Sequence, residues 1–275
     1  MRNVEYFYRL MMLCRIRKPG LRAWVSTVII ISHFSFLIPY SFAQVGEYRN
    51  DFAIGGSAGY SMSSIAFVPK VPQGQLAGLT FGFTARYTCE KYFSSICAVV
   101  GEVNYSQIGW NERIWDMKDQ PVVMREDTTQ ALIYSRKMSY IQLPFLARLG
   151  WGRERSGLQF FFQVGPQIGF FLSEKTDTNF DKFTKTKNTR SSNIVAQDTM
   201  AVEKKFDYGI VAGAGVEFSN RHLGHFILEG RYYYGLGNIY GATKRDYFAR
   251  SNFGNIVVKC TYLFDIIRTK NSKIK

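Results

Sequence analysis

Past residue 43 the sequence has no run of eighteen apolar residues, so no transmembrane helix is predicted there. Metal and nucleophile chemistry is sparse as well. The chain holds 4 cysteines and 3 histidines among 275 residues, in no spacing that suits a metal ion. The one dense glycine cluster, "FDYGIVAGAGVEF" (206–218), lacks the strand-to-turn-to-helix change that a phosphate loop requires. No cofactor is expected. Acidic residues are outnumbered, 21 against 35 basic, and this favours anionic partners such as lipid headgroups or polysaccharide.

What is present begins with a leader pattern. Arg2, Arg9, Arg15, Arg17, Lys18 and Arg22 precede an apolar stretch, "AWVSTVIIISHFSFLIPYSFA", which ends with Ser41 and Ala43 at the small-residue cleavage positions. Residues 1–43 therefore read as a cleaved signal peptide and 44–275 as the mature domain, with 29 basic and 20 acidic residues. Export to the periplasm leaves no role for nucleic acid. It also permits a disulfide, and Cys89 and Cys97 flank a short turn with matching parity. His222 and His225 fall in another short turn and are expected at the solvated surface.

From residue 51 onward the dominant period is two, the signature of strands. Eight segments alternate, at about 51–61, 78–89, 97–107, 138–150, 158–173, 205–218, 225–236 and 254–265. One face of each is apolar and uncharged, as Phe206, Tyr208, Ile210, Ala212, Ala214, Val216 and Phe218 illustrate. The other faces carry Arg86, Glu102, Arg148, Asp207, Glu217, Glu229, Arg231 and Lys259, four charges of each sign. A soluble barrel would hold its apolar face inside, and eight strands enclose too little space for so many rings. The fold predicted is all-β: an eight-stranded antiparallel up-and-down transmembrane barrel, with lipid on the apolar face and ion pairs in the lumen. Short links after segments 2, 4 and 6 become periplasmic turns, and longer links after 1, 3, 5 and 7 become extracellular loops. Tyr60, Tyr87, Trp110, Tyr140, Trp151, Tyr232, Tyr234 and Tyr262 suit an interfacial girdle. Gly209, Gly213 and Gly215 point inward, where they relieve crowding. Pro144 and Pro166 each remove a ladder donor, and a bulge is expected at both.

The pieces "YIQLPFLARLG" (140–150), "VGPQIGFFLSE" (164–174), "FDYGIVAGAGVEF", "LEGRYYYGLGNI" (228–239) and "VKCTYLFD" (258–265) resemble the PorT-like outer-membrane β-barrel family of the Bacteroidetes. That resemblance implies an outer-membrane barrel, and for PorT itself an association with protein-secretion machinery. None of the pieces is a catalytic motif. Glu102, Glu217 and Glu229 have basic residues available as partners and read as structural, so no enzyme is expected. The function expected is that of a non-enzymatic barrel in the cell outer membrane, acting through loops or rim as a scaffold, a binding protein or a secretion-associated part. A small porin-like channel is the alternative. Partners would be outer-membrane lipid, including lipopolysaccharide, and other envelope proteins. The contact with anionic lipid is expected in the third long loop, at Lys175, Lys182, Lys185, Lys187 and Arg190.

Overall fold

The structure is a computed structural model that describes residues 47–68, 70–114, 120–123, 129–179, 201–241 and 248–270. Eight antiparallel strands close into one ring in chain order: β1 (Glu47–Val68), β2 (Gln73–Tyr92), β3 (Ser95–Arg113), β4 (Ile133–Gly152), β5 (Gly157–Thr178), β6 (Phe206–Asn220), β7 (Gly224–Gly235) and β8 (Arg250–Ile267). Pairing of β1 with β8 closes the ring, for example Ile54 opposite Phe264. A closed ring leaves no strand edge unpaired, as a bilayer requires.

The faces sort as the alternation predicts. Phe162 and Ile210 are about half exposed on the outer surface, whereas Arg231 and Glu217 are buried inside. Gly209, Gly213 and Gly215 face inward against their neighbours: a Cβ on Gly215 would meet Leu228 O at 2.4 Å and the Phe161 ring at 2.7 Å, and one on Gly213 would meet the Arg231 side chain at 2.8 Å. These glycines make room for Phe161 and Arg231. Gly215→Ala is expected to destabilise the barrel by about 1–3 kcal/mol, because backbone oxygen cannot give way as a flexible side chain would. A urea-denaturation midpoint unchanged from wild type would refute that.

Several expectations are corrected. The first five strands run 19 to 22 residues, well past the segments read from the sequence. A tilted strand crosses a bilayer in about 9–11 residues, so these strands rise beyond it at the end that bears the longer links. The first link is consequently only residues 69–72, not a long loop. Trp110 and Tyr140 are fully buried within the barrel, outside any girdle, while Tyr60, Trp151, Tyr232, Tyr234 and Tyr262 do face outward.

No bulge forms at either proline. Pro144 stays in register opposite Gln167, and Pro166 opposite Ile210. The ladder instead loses pairs locally, at Leu143 and Pro144 beside β3 and at Phe145 and Leu146 beside β5. One missing donor interrupts a ladder without forcing an extra residue into it. The bulge in this sheet region is at Leu172, between the pairs Ser139–Ser173 and Tyr140–Phe171.

The disulfide permitted between Cys89 and Cys97 is not made; both are free thiols. A register shift between Thr88 and Glu90 leaves Cys89 as the extra residue and sets Cys97 opposite Glu90.

Candidate functional site

The lumen is filled in three layers, built from side chains that alternate inward. At the short-turn end Glu217 of β6, 1% exposed, is the hub. Arg86 Nη1 of β2 donates to both of its oxygens at 2.7 Å, Arg148 Nη2 of β4 donates to Oε2, and Ser219 Oγ donates to Oε1 at 3.1 Å. His225 of β7 sets Nδ1 2.7 Å from Glu217 Oε1 and Nε2 2.9 Å from Asp265 Oδ1 of β8. The Arg148 guanidinium lies 3.6 Å from the centre of the Phe161 ring.

The second layer has Glu102 of β3 at its centre. Arg231 grips it with two nitrogens, at 2.7 and 2.6 Å, and Lys259 Nζ donates at 2.7 Å. Glu229 takes Gln163 Nε2 at 2.6 Å and Arg231 Nη2 at 2.7 Å. Two carboxylates and two cations balance, and the forked guanidinium pairing is the strong form of the contact.

The third layer, toward the long links, is aromatic. Phe67, Trp110, Tyr134, Tyr140, Phe253 and, from the β7–β8 link, Tyr240 and Phe248 pack as one buried cluster. Phe67 sits 4.8 Å from Phe248 and 5.4 Å from Trp110, ring centre to ring centre. Arg136 spans the top: Nε reaches Glu174 at 2.9 Å and Nη1 donates to the Tyr240 hydroxyl at 2.9 Å. Burial raises the Tyr240 phenol above its ordinary range, so it stays neutral and can accept that bond.

Seven of the eight lumen charges read from the sequence thus meet an opposite charge. Asp207 does not: among the described residues its carboxylate takes the Tyr233 hydroxyl at 2.6 Å and no cation. Asp207 sits high on β6, where the lumen is already aromatic. His225 was expected at the surface and is buried in the ionic layer; His222 is exposed. The signal was available, because His225 shares parity with Glu229 and Arg231, and Asp265 with Lys259. Lys175 lies on β5, 77% exposed and 3.5 Å from Asp177, while Lys182, Lys185, Lys187 and Arg190 lie outside the described residues.

Ser219 Oγ, 2.8 Å from His225 Nδ1, together with Asp265 has the outline of a hydrolytic triad. The chemistry does not fit. Ser219 is 1% exposed, and the Glu217 carboxylate stands where an acyl-transfer site needs donors for a developing oxyanion.

A family model described as the outer membrane protein beta-barrel domain matches residues 42–241. The chain belongs to that family. As an outer-membrane barrel it directs the outer apolar band to lipid, and its short turns to the periplasm. Similar solved structures include Ail, the attachment invasion locus protein of Yersinia pestis (15% identity, 78% of this chain and 99% of that one, TM-score 0.31). Others are Neisserial surface protein A (11%, 78% and 97%, 0.37) and OprG from Pseudomonas aeruginosa (15%, 80% and 98%, 0.37). No curated protein matches the chain.

Proposed function

We propose that this outer-membrane barrel acts without catalysis through its extracellular rim and outer wall, as a binding or scaffolding component. The secretion-associated role implied by the PorT-like pieces is one form of that reading. The filled lumen carries it, since three layers of buried side chains occupy the interior among the described residues. The porin-like alternative makes a different prediction for planar bilayers. The intact barrel is expected to show no steady conductance, and a stable ohmic channel would overturn the reading.

The outer wall suggests the partner. Lys137 and Lys175 stand directly opposite across β4 and β5, and exposed Lys204 and Lys205 precede β6 beside them. All four lie just beyond the apolar belt of Phe170, Leu172 and Phe206. Asp177, 3.5 Å from Lys175, offsets one of these charges, and headgroup phosphate at that height would offset the others. Lipopolysaccharide of the outer leaflet fits this collar. Changing the four lysines to glutamine should weaken binding to lipopolysaccharide-containing vesicles about tenfold or more, with neutral phospholipid vesicles unaffected; roughly 1 kcal/mol per basic residue at an anionic surface sets the scale. Equal binding by both proteins would retire the collar.

Residues 1–43, outside the described structure, are proposed as the cleaved signal. N-terminal sequencing of protein from outer membranes should begin at Gln44, and a retained leader would contradict this.

A further inference from the structure

The segment that follows β8 is tied back onto the periplasmic end. Arg268 Nε donates to Asp265 Oδ2 at 2.6 Å, and its Nη1 donates to Arg221 O of the β6–β7 turn at 3.0 Å. Thr269 is held at three atoms. Its N–H donates to the Asp51 carboxylate of β1, its hydroxyl accepts Asn50 N–H at 2.7 Å, and its carbonyl accepts Arg155 Nη2 at 2.5 Å. Three of these anchors, Asp51, Arg155 and Asp265, line one partly open cavity of about 30 Å³. At roughly 10–15 Å³ for each water, it has room for about two.

Asp265 is also where this strap meets His225, which is 5% exposed. The His225 ring sets Nδ1 2.7 Å from Glu217 Oε1 and Nε2 2.9 Å from Asp265 Oδ1. Arginines face both carboxylates, Arg86 of β2 and Arg148 of β4 at Glu217 and Arg268 at Asp265, so both act as acceptors only. A neutral imidazole has one N–H, and its other nitrogen would then meet a carboxylate lone pair to lone pair. Ser219 does not resolve this: a proton given to Nδ1 still leaves none between Nδ1 and Glu217. Two donors are needed, and only the imidazolium has them.

The charges on the cavity wall point the same way. Asp51, Glu154, Glu217 and Asp265 face Arg86, Arg148 and Arg155, so a charged ring supplies the fourth cation. Arg49, Lys91 and Arg268 reach Glu154 and Asp265 from outside that wall. Arg49 is shared with Glu47, and Lys91 and Arg268 are 31% and 37% exposed, where water screens them.

We infer that His225 is a resident imidazolium that latches the segment after β8 across the periplasmic mouth, and that loss of its proton in alkali frees that segment. The proton leaves to cavity water. Glu217 keeps its two arginines, so Asp265 is the carboxylate that turns away from the ring, and Arg268 and Thr269 move with it. The charged ring's contribution is complete below about pH 6.5, the ordinary imidazole range, and is lost as pH rises past the release of the proton. The floor is therefore strapped at neutral pH and loosened in alkali.

Beyond residue 43 the chain has two histidines, and exposed His222 serves as the internal reference. In the full barrel in phospholipid vesicles, labelled with 15N-histidine, both ring nitrogens of His225 should carry protons at about pH 8 while His222 is neutral. A nitroxide at position 270, with the native cysteines changed to serine, should be immobilised at that pH and become mobile once His225 loses its proton. With His225→Gln it should be mobile at both. A neutral His225 at about pH 8, or a label at 270 whose mobility ignores both pH and His225→Gln, would overturn the proposal. If His225→Gln does not fold, the 15N spectrum and the pH dependence of the label in the barrel that retains His225 still decide it.

Discussion

Glu217→Ala should destabilise the folded barrel by about 3–5 kcal/mol, the range for breaking a buried ion pair from one side. The reason is geometric. Arg86, Arg148, His225 and Ser219 all converge on this one carboxylate, which is itself buried. Removing it leaves two guanidiniums facing each other without a counter-charge. The damage should be partly reversible. Arg148→Met in the Glu217→Ala background removes one of the stranded cations and sets an apolar side chain beside Phe161 in place of the guanidinium, so it should recover part of the loss. Urea unfolding in phospholipid vesicles, followed by tryptophan fluorescence, measures all three. A single mutant within about 0.5 kcal/mol of wild type would mean that solvent reaches the layer and screens it, as it does for surface pairs.

The second large effect is on the outside. Val164 lies outward on β5, level with Ala147 and Ala212 on the neighbouring strands and near the middle of the lipid-facing band. Val164→Arg should cost about 2–4 kcal/mol, while the same change at Leu172, close to the extracellular interface, should cost about 0–1 kcal/mol. The contrast matters more than either value. A soluble barrel would tolerate arginine at both exposed positions alike, because neither side chain is packed in a core. Equal and small penalties would therefore argue against lipid around β5.

The sequence made some of this legible and hid the rest for physical reasons. The 206–218 stretch showed its two faces because a bilayer demands an unbroken apolar side and a narrow lumen demands small or paired residues opposite. Parity placed Glu102, Arg231 and Lys259 at inward positions, but which of them meet depends on how the strands are staggered and was not in the pattern. What failed was the region above the membrane. There the inner face becomes aromatic, with Ile65, Phe67, Trp110 and Tyr134 buried and the outer face partly polar. Alternation measured as greasy-out then reads as noise, so the strands seemed to end too soon and the first link too long. The plug residues Tyr240 and Phe248 come from a link with no period, and nothing local announced that it folds back into the mouth. Single-residue shifts were hidden too. The extra residue at Cys89 and the one at Leu172 depend on how neighbouring strands slide, which one strand's pattern does not contain. The prolines erred the other way, because a missing donor was read as a bulge when the ladder merely lapses.

The reading rests on which way the side chains of one strand look. Strand β8 carries a native reporter, Cys260, on its outer face. With Cys89 and Cys97 changed to serine, and Cys260 as well whenever the label sits elsewhere, spin labels placed singly at positions 256 to 264 of the bilayer-embedded barrel can be challenged with a lipid-soluble and a water-soluble relaxing agent. Labels at 256, 258, 260, 262 and 264 should collide with the lipid-soluble agent, and those at 257, 259, 261 and 263 should be shielded from it. Water-phase collisions at the even positions, or a loss of the two-residue rhythm, would show that no membrane surrounds this wall.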